Sequence, residues 1–164
     1  MRAAPSAASG VATATVPSPT GPLRVSANDT AIVRITWADT GADESDAADH
    51  PLLAQAAGQL AAYFAGERRT FDLPVAPAGS EFQQRVWAEM TAIPWGETRT
   101  YGDLARTLAV MPQPIGQACG DNPIPIVIPC HRVVAADGKL GGFSGGRGVE
   151  TKLALLRHEG AWLL

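Results

Sequence analysis

Alternating apolar and polar positions near the start of the chain predict β-strands. The alternation covers residues 21–27 and 30–37, and Asn28-Asp29 between them is a turn signal, so we expect a β-hairpin here. A run over residues 71–75 is a candidate third strand. Since alternation with a period of two places apolar side chains on one face, these strands are expected to form a small antiparallel sheet.

Apolar residues at helical spacing follow the hairpin. Pro51 marks the start of this helix and Gly66 its end, and the apolar positions between them include Leu52, Leu53, Ala56, Leu60 and Phe64. The sheet and the helix predict a small α/β domain over residues 19–78, with a linker at 74–79. Residues 1–18 are rich in Ala, Ser, Thr and Pro, and we expect a disordered arm, because such a segment buries too little surface to offset its ordering entropy.

The second half of the chain predicts a mostly helical domain over residues 80–164. Ser80 is a candidate N-cap, and the apolar residues of the helix that follows are Phe82, Val86, Trp87 and Met90. Two shorter helices are expected over residues 101–109 and 114–120, and the proline-containing turn between them is typical of a helix-turn-helix. A closing helix is expected over residues 149–159, with its inward-facing leucines at Leu153, Leu155 and Leu156.

Two segments between these helices carry other signals. The apolar run over residues 124–128 is interrupted and flanked by prolines, so we expect a buried, extended segment that crosses the core. Asp137-Gly138, within residues 133–143, is a hairpin-turn signal between short strands, as in a winged helix.

Composition and charge limit the possible functions. The chain is 46% hydrophobic and 18% charged, which is typical of a globular protein. Its net charge is −3, with the acidic excess concentrated in residues 39–49, whereas acidic and basic residues are equal in number from Ser80 onward. Nucleic-acid binding by this second half is therefore permitted but would use few phosphate contacts.

Cysteine and histidine usage gives little support to metal chemistry. The chain has two cysteines and three histidines, too few and too scattered for a zinc site or a disulfide framework, so we expect no metal and no other cofactor. Free thiols favour the cytoplasm. No apolar run is long enough to span a bilayer, so we expect no membrane partner.

Cys130, followed directly by His131, is the candidate for catalysis. A thiol with its usual pKa of about 8.5 becomes a strong nucleophile only after a base removes its proton. His131 can be that base through a bridging water, because adjacent side chains do not easily face each other, and a carboxylate would orient the imidazole. The alternative is an inert buried cysteine that acts as a small hydrophobic residue.

The sequence around Cys130 resembles the O6-alkylguanine-DNA alkyltransferase family. The motifs that carry the resemblance are Asn122-Pro123, Pro129-Cys-His-Arg-Val133, Gly142-Phe-Ser-Gly-Gly146, Ile93-Pro-Trp-Gly96, Thr100-Tyr-Gly102 and His158-Glu-Gly160. They cover the chain from Ser80 to its end in matching order, whereas the first half matches only in size and layout. The resemblance implies an RNase H-like α/β domain followed by a mostly α, winged helix-turn-helix domain.

The resemblance also implies an activity. It is DNA repair as a methylated-DNA–protein-cysteine S-methyltransferase, in which an alkyl group moves irreversibly from O6-alkylguanine, and from O4-alkylthymine, to Cys130 after base flipping. His131 would be the water-mediated base and Glu159 its orienting carboxylate. Asn122 would brace the helix-turn-helix against the active-site segment, and Tyr101 would help to protonate the leaving base.

The implied partner is DNA, bound in its minor groove by a monomer. Backbone groups near Cys130 and Val133 would accept hydrogen bonds from the guanine amino group, and the Ser144 amide would donate to O6. The other residues that the resemblance places at the base or the DNA are Gln113, Ile115, Gly116 and Phe143.

Two of these residues depart from the family pattern. Gln113 stands where the family has an arginine that fills the gap left by the flipped base. Because glutamine has no charge and no planar fork of donors, we hypothesise that duplex repair is slower or that an unpaired base is preferred. Phe143 stands where many relatives have tyrosine, which removes one hydrogen bond but keeps apolar contact with the alkyl group.

Two other functions are compatible with parts of the sequence. One is a module that binds alkylated bases without transfer, although such proteins lack the cysteine that this chain has at position 130. The other is a cysteine hydrolase, for which no oxyanion-hole motif is visible. Among the remaining residues, we expect Arg132 to pair with a carboxylate, Cys119 to be a small residue of the recognition helix, and Lys152 to match a lysine of the family.

Overall fold

The computed structural model describes residues 10–38 and 49–162. The chain divides into two compact units between Pro77 and Ala78. Within the described ranges, no helix is both long enough and apolar enough to cross a membrane. The acidic stretch over 39–49 lies almost entirely outside the described residues.

The first unit contains a three-stranded antiparallel sheet. Its strands are β1 (Ala12–Val16), β2 (Leu23–Ala27) and β3 (Ile32–Trp37), in that order across the sheet. The predicted hairpin is confirmed as β2 and β3, and the Asn28 carboxamide closes its turn by accepting from the Ala31 amide at 2.8 Å.

Two predictions for this unit are wrong. Part of the expected disordered arm forms β1, because Ala14 and Val16 are buried and the strand pairs with β2, while residues 1–9 lie outside the described residues. Residues 71–75 do not form a strand. Only Val75 makes an isolated bridge to Ile32, and Pro74 has no amide hydrogen with which to extend a ladder.

The helix of the first unit, α1 (Pro51–Phe64), begins at the predicted proline. The His50 side chain caps it by accepting from the Leu53 amide. Leu53, Ala56, Leu60 and Tyr63 are completely buried, and the helix packs against β1 and β2. The first unit is therefore a small sheet covered by one helix, as the alternation and the helical spacing predicted.

The second unit begins with α2 (Glu81–Thr91), whose N-terminus forms a capping box between Ser80 and Gln83. Val86, Trp87 and Met90 face the core, and the Trp87 indole donates to the Ala118 carbonyl at 2.9 Å. The predicted pair of short helices is confirmed as α3 (Tyr101–Leu108) and α4 (Pro112–Gly120). They pack together across a turn in which Ala109 has a left-handed backbone, with φ of 59°.

Residues 124–128 are buried but not extended, so that prediction is wrong. The Ile128 amide donates to the Ile124 carbonyl at 2.9 Å, and Ile126 has φ of 75°, which folds the segment into a compact turn. The prolines prevent a strand ladder, and the chain reverses locally to satisfy its remaining amides.

The predicted turn at Asp137-Gly138 is present, with φ of 60° and 76° at the two residues. Residues 139–148 contain no strand, however, so the hairpin is incomplete. Its first strand, β5 (Val133–Val134), pairs instead in parallel with β4 (Arg99–Thr100).

The last helix, α5 (Val149–His158), is where the leucine spacing predicted it. Leu155 and Leu156 are completely buried, as expected, whereas Leu153 is partly exposed. The helix also buries Lys152, which the apolar pattern did not predict. It ends at Glu159, its C-cap, so that this carboxylate faces the turn that contains Cys130 to Arg132.

Candidate active site

Cys130 lies at the start of a single 3-10 turn, Cys130–Arg132, directly after the proline-rich turn. Its amide donates to the Ile128 carbonyl at 2.8 Å, and its side chain is 7% exposed. Burial raises the pKa of the thiol, and a hydrogen bond from the Asn122 side chain and the positive charge of Lys152 partly oppose that rise. The resting residue is therefore a thiol, and it needs a base to become a nucleophile.

His131 is completely buried and is hydrogen-bonded to Glu159. Its Nε2 lies 2.8 Å from Oε2 of Glu159. Burial lowers the pKa of His131 despite the neighbouring carboxylate. Burial alone would raise the pKa of Glu159, but hydrogen bonds and charges from His131 and Arg132 lower it to about 2.

These protonation states define the tautomer of His131. An ionised carboxylate only accepts hydrogen bonds, so the neutral imidazole carries its hydrogen on Nε2 and donates it to Glu159. Nδ1 then holds a lone pair. Among the described residues it has no hydrogen-bond partner, although it is buried. The geometry thus leaves one oriented basic nitrogen on the residue next to Cys130.

Arg132 holds the same carboxylate from its other side. Nε and Nη2 donate to the two Glu159 oxygens at 2.8 and 3.0 Å, and Nη1 donates to the Ile93 carbonyl at 2.5 Å. The prediction that Arg132 pairs with a carboxylate is confirmed. Because this bidentate contact fixes both oxygens of Glu159, it also fixes the partner of His131.

Asn122 connects the end of α4 to the turn before Cys130. Nδ2 donates to the Ile128 carbonyl at 2.8 Å, and Oδ1 accepts from the Ile124 amide at 3.0 Å. Both bonds tie the side chain to the segment that carries the cysteine. Asn122 thus holds the active-site segment, and a brace to the helix-turn-helix stays a prediction.

Lys152 has a larger part in the site than the sequence predicted. It is completely buried, and Nζ donates to the carbonyls of Val133 at 2.7 Å and Gly142 at 3.2 Å. Burial lowers its pKa to about 8, although neighbouring cysteines favour the charged form. The match to a family lysine was the only signal in the sequence, because lysine is ordinarily a solvated residue.

Tyr101, the first residue of α3, faces the same region. Burial and, to a smaller extent, the charges of Cys119 and Cys130 raise the pKa of its phenol to about 12, so the hydroxyl is a proton donor at neutral pH. Lys152 Nζ lies 5.7 Å from the centre of its ring. Gly141 packs on the ring so closely that a Cβ there would lie 2.9 Å from the phenol oxygen.

A surface pocket of about 530 Å³ adjoins Tyr101. Its other walls are residues of α4: Pro112, Gln113, Gly116 and Gln117. The structure therefore brings Tyr101 together with two of the residues expected at the DNA, Gln113 and Gly116. Ile115, a third residue expected at the DNA, has a completely buried side chain, so only its backbone is available to a ligand.

The other expected base contacts lie on the segments around Cys130. Val133 is buried and offers its carbonyl, which already accepts from Lys152. Phe143 is half-buried, and Ser144 is exposed with its hydroxyl donating to the Gly120 carbonyl at 3.2 Å.

Cys119 is buried against Met90, and burial raises its pKa to about 12, in keeping with the expectation of a small packing residue.

Fold and site together define a class of protein. Proteins of this class combine a buried cysteine, a histidine oriented by a carboxylate, and a helix-turn-helix in one compact unit. The 6-O-methylguanine DNA methyltransferase family matches almost the whole described chain. The model of its ribonuclease-like domain matches residues 11–77, and the model of its DNA binding domain matches residues 81–161. The chain belongs to this family.

Individual relatives agree with the family models. The methylated-DNA–protein-cysteine methyltransferase of Mycolicibacterium paratuberculosis is 43% identical over 150 residues, which are 88% of this chain and 90% of the relative. The constitutive enzyme of that name from Bacillus subtilis is 37% identical over 88% of this chain and 93% of its own length.

Solved structures show the same fold. The crystal structure of Mycobacterium tuberculosis O6-methylguanine methyltransferase superposes with a TM-score of 0.80 at 35% identity, covering 94% of this chain and 95% of the other. The structure of M. tuberculosis OGT in complex with DNA gives a TM-score of 0.78 at 39% identity, covering 90% and 92% of the two chains. The alkyltransferase fold that the motifs implied is confirmed.

Proposed function

We propose that this chain repairs alkylated DNA by transferring an alkyl group from the O6 of guanine to the sulfur of Cys130, once per molecule. The observation that supports the assignment most directly is the arrangement around that sulfur. A neutral imidazole, anchored to an ionised carboxylate, presents an unpaired basic nitrogen on the residue next to the thiol. The names of the relatives describe the same transfer to a protein cysteine.

The reaction is a displacement at the alkyl carbon. His131 Nδ1 takes the thiol proton through a water molecule, and the thiolate attacks the carbon attached to O6. The S–C bond forms as the C–O bond breaks, and the electron pair of that bond passes to the guanine. The Tyr101 hydroxyl donates a proton to the leaving base and is reprotonated from His131, so the thiol hydrogen ends on guanine. The resulting thioether is stable, and the protein is consumed.

The base is held by groups around this centre. In the proposal, the carbonyls of Cys130 and Val133 accept from the guanine amino group, and the Ser144 amide donates to O6. Phe143 gives apolar contact to the alkyl group. Lys152 positions the Val133 carbonyl, to which it is already bonded. O4-alkylthymine, which presents a similar alkylated oxygen, is a second substrate.

The proposal also covers the oligomeric state, the compartment and the DNA groove that is bound. The protein acts as a monomer in the cytoplasm, where thiols remain reduced, and α4 enters the minor groove. A minor groove has a degenerate hydrogen-bond pattern, which suits a protein that inspects every sequence for damage. The second domain is proposed to span residues 80–164, whereas the first domain includes β1 and therefore begins before residue 19.

Whole-protein mass spectrometry tests the central assignment. The chain is incubated with a duplex that contains O6-methylguanine, and we expect the gain of one methyl group, with peptide mapping to Cys130. Cys119→Ser should still gain the methyl group, whereas Cys130→Ser should not. A protein that binds the duplex without gaining mass would be a binding module, and turnover of an ester beyond one equivalent would indicate a hydrolase.

A further inference from the structure

The first turn of α4 has an unusual surface, which we call the helix tip and define as Met111, Pro112, Gln113 and Pro114. All four residues are exposed, and none is charged. Two of them are prolines, which have no amide hydrogen, and Met111 gives the helix no side-chain cap. The tip therefore lacks two of its four amide donors, the groups with which a helix N-terminus ordinarily binds a phosphate.

Met111 is the most exposed large apolar residue in the described part of the chain. Its side chain is 72% exposed, compared with 50% for Val11 and 45% for Val149. It is also long and flexible, and therefore able to fill an irregular gap. The three residues that follow it are exposed as well, so Met111 adds its apolar surface to that of the helix tip.

The tip is continuous with the proposed base-binding region. Pro112 and Gln113 form one side of the pocket of about 530 Å³, and Tyr101 forms another. Tyr101 in turn lies beside Lys152, whose Nζ is 5.7 Å from the ring centre and donates to the carbonyl of Val133, three residues after Cys130. A duplex whose damaged base enters this region would bring its neighbouring bases toward the side of the pocket that Pro112 and Gln113 form, and Met111 is the residue that precedes them.

From these observations we infer that Met111 and Pro112 form an uncharged wedge that enters the base stack of duplex DNA beside the flipped nucleotide. This inference rests on the proposed function. Apolar side chains, methionine and proline among them, are used in this way by proteins that unstack base steps from the minor groove. Because the wedge has no charge, it acts on the bases and adds nothing to phosphate binding. Gln113, the next residue, is left to contact the unpaired partner base.

The inference predicts a selective loss in duplex repair. Met111→Ala should slow methyl transfer from an O6-methylguanine duplex by about tenfold, since unstacking costs a few kcal/mol that the wedge offsets. Transfer from the same oligonucleotide without its complement should stay within about twofold, because no stack has to be opened. Met111→Leu, which keeps the apolar volume, should retain the duplex rate.

Unstacking is measured separately from transfer. The fluorescence of a 2-aminopurine placed beside the lesion should increase when the Cys130→Ser protein binds the duplex. In this background, Met111→Ala should abolish most of the increase, whereas Met111→Leu should preserve it. Circular dichroism and thermal melting check that the variants are folded. An unchanged ratio of duplex to single-strand rates in Met111→Ala, or an equal loss on both substrates, would overturn the wedge. Absence of methyl transfer by the unaltered protein would instead overturn the proposed function, while the fluorescence would still test the wedge.

Discussion

A single carboxylate organises the charges next to Cys130. Glu159 accepts from His131 on one oxygen and from Arg132 on both, and the side chains of all three residues are almost completely buried. We expect Glu159→Gln to slow methyl transfer by about 10²–10⁴-fold, because the base loses the charge that supports its protonated form. The variant should also lose about 3–5 kcal/mol of stability, since the Arg132 guanidinium stays buried without its counter-charge.

Single-turnover rates and urea unfolding measure these two effects. Glu150→Gln is the matched control, because Glu150 lies on the same helix but is exposed. It should keep the full transfer rate and lose no more than about 1 kcal/mol. A Glu159→Gln protein that transferred methyl groups at the normal rate would remove Glu159 from the mechanism.

The buried histidine makes stability depend on pH in a defined direction. The pKa of His131 is lowered by burial from its ordinary 6.5, so below about pH 6.5 the unfolded chain binds a proton that the folded chain excludes. Stability should therefore fall as the pH drops, by up to about 1.4 kcal/mol per pH unit for this one proton. Glu159, with its pKa lowered to about 2, adds stability that is present above its unfolded pKa of about 4.3 and is lost toward pH 2.

Urea unfolding from pH 7 to pH 5 measures the contribution of His131. In the same series, the free energy of unfolding of His131→Gln should decrease less steeply from pH 7 to pH 5, whatever the absolute stability of that variant. An equally steep decrease in the variant would assign the pH dependence to other groups.

At the scale of elements, local signals predicted most of the fold. The N-cap at Ser80, the proline at the start of α1 and the leucine spacing of α5 each mark a helix that the structure contains. These signals work because capping and amphipathic burial act within a few residues of one another along the chain. The hairpin of β2 and β3 was predictable for the same reason.

The errors occurred where specific hydrogen bonds and strand pairing outweighed local composition. Residues 12–16 resemble a disordered segment, yet β2 supplies an edge on which they pair. The turn at 124–128 depends on the Asn122 side chain, which no apolar pattern encodes. Similarly, Glu159 lies 28 residues from His131 along the chain, so only the family resemblance could assign it, and the burial of Lys152 followed from no rule of composition.

For the whole molecule, charge is distributed unevenly along the chain. The net charge of −3 arises upstream of Ser80, and the part that carries the site is balanced. The helix tip adds no cation, and two of its residues cannot donate an amide hydrogen. We therefore predict that few phosphates are neutralised and that the affinity for DNA comes mainly from contacts with the extruded base and the opened stack.

The salt dependence of DNA binding tests whether few phosphates are neutralised. If about two phosphates are neutralised, raising the salt from about 50 to about 200 mM should weaken duplex binding by only about tenfold, whereas six to ten contacts would weaken it by about 10³–10⁵-fold. Fluorescence anisotropy on Cys130→Ser with an O6-methylguanine duplex measures the affinity without transfer. Met111→Ala should lower the affinity at every salt concentration and leave the slope unchanged, because it removes apolar contact and no charge. A steep slope in the parent protein would mean that basic side chains gather on the DNA-facing surface despite the balanced composition, and that binding is driven by counterion release.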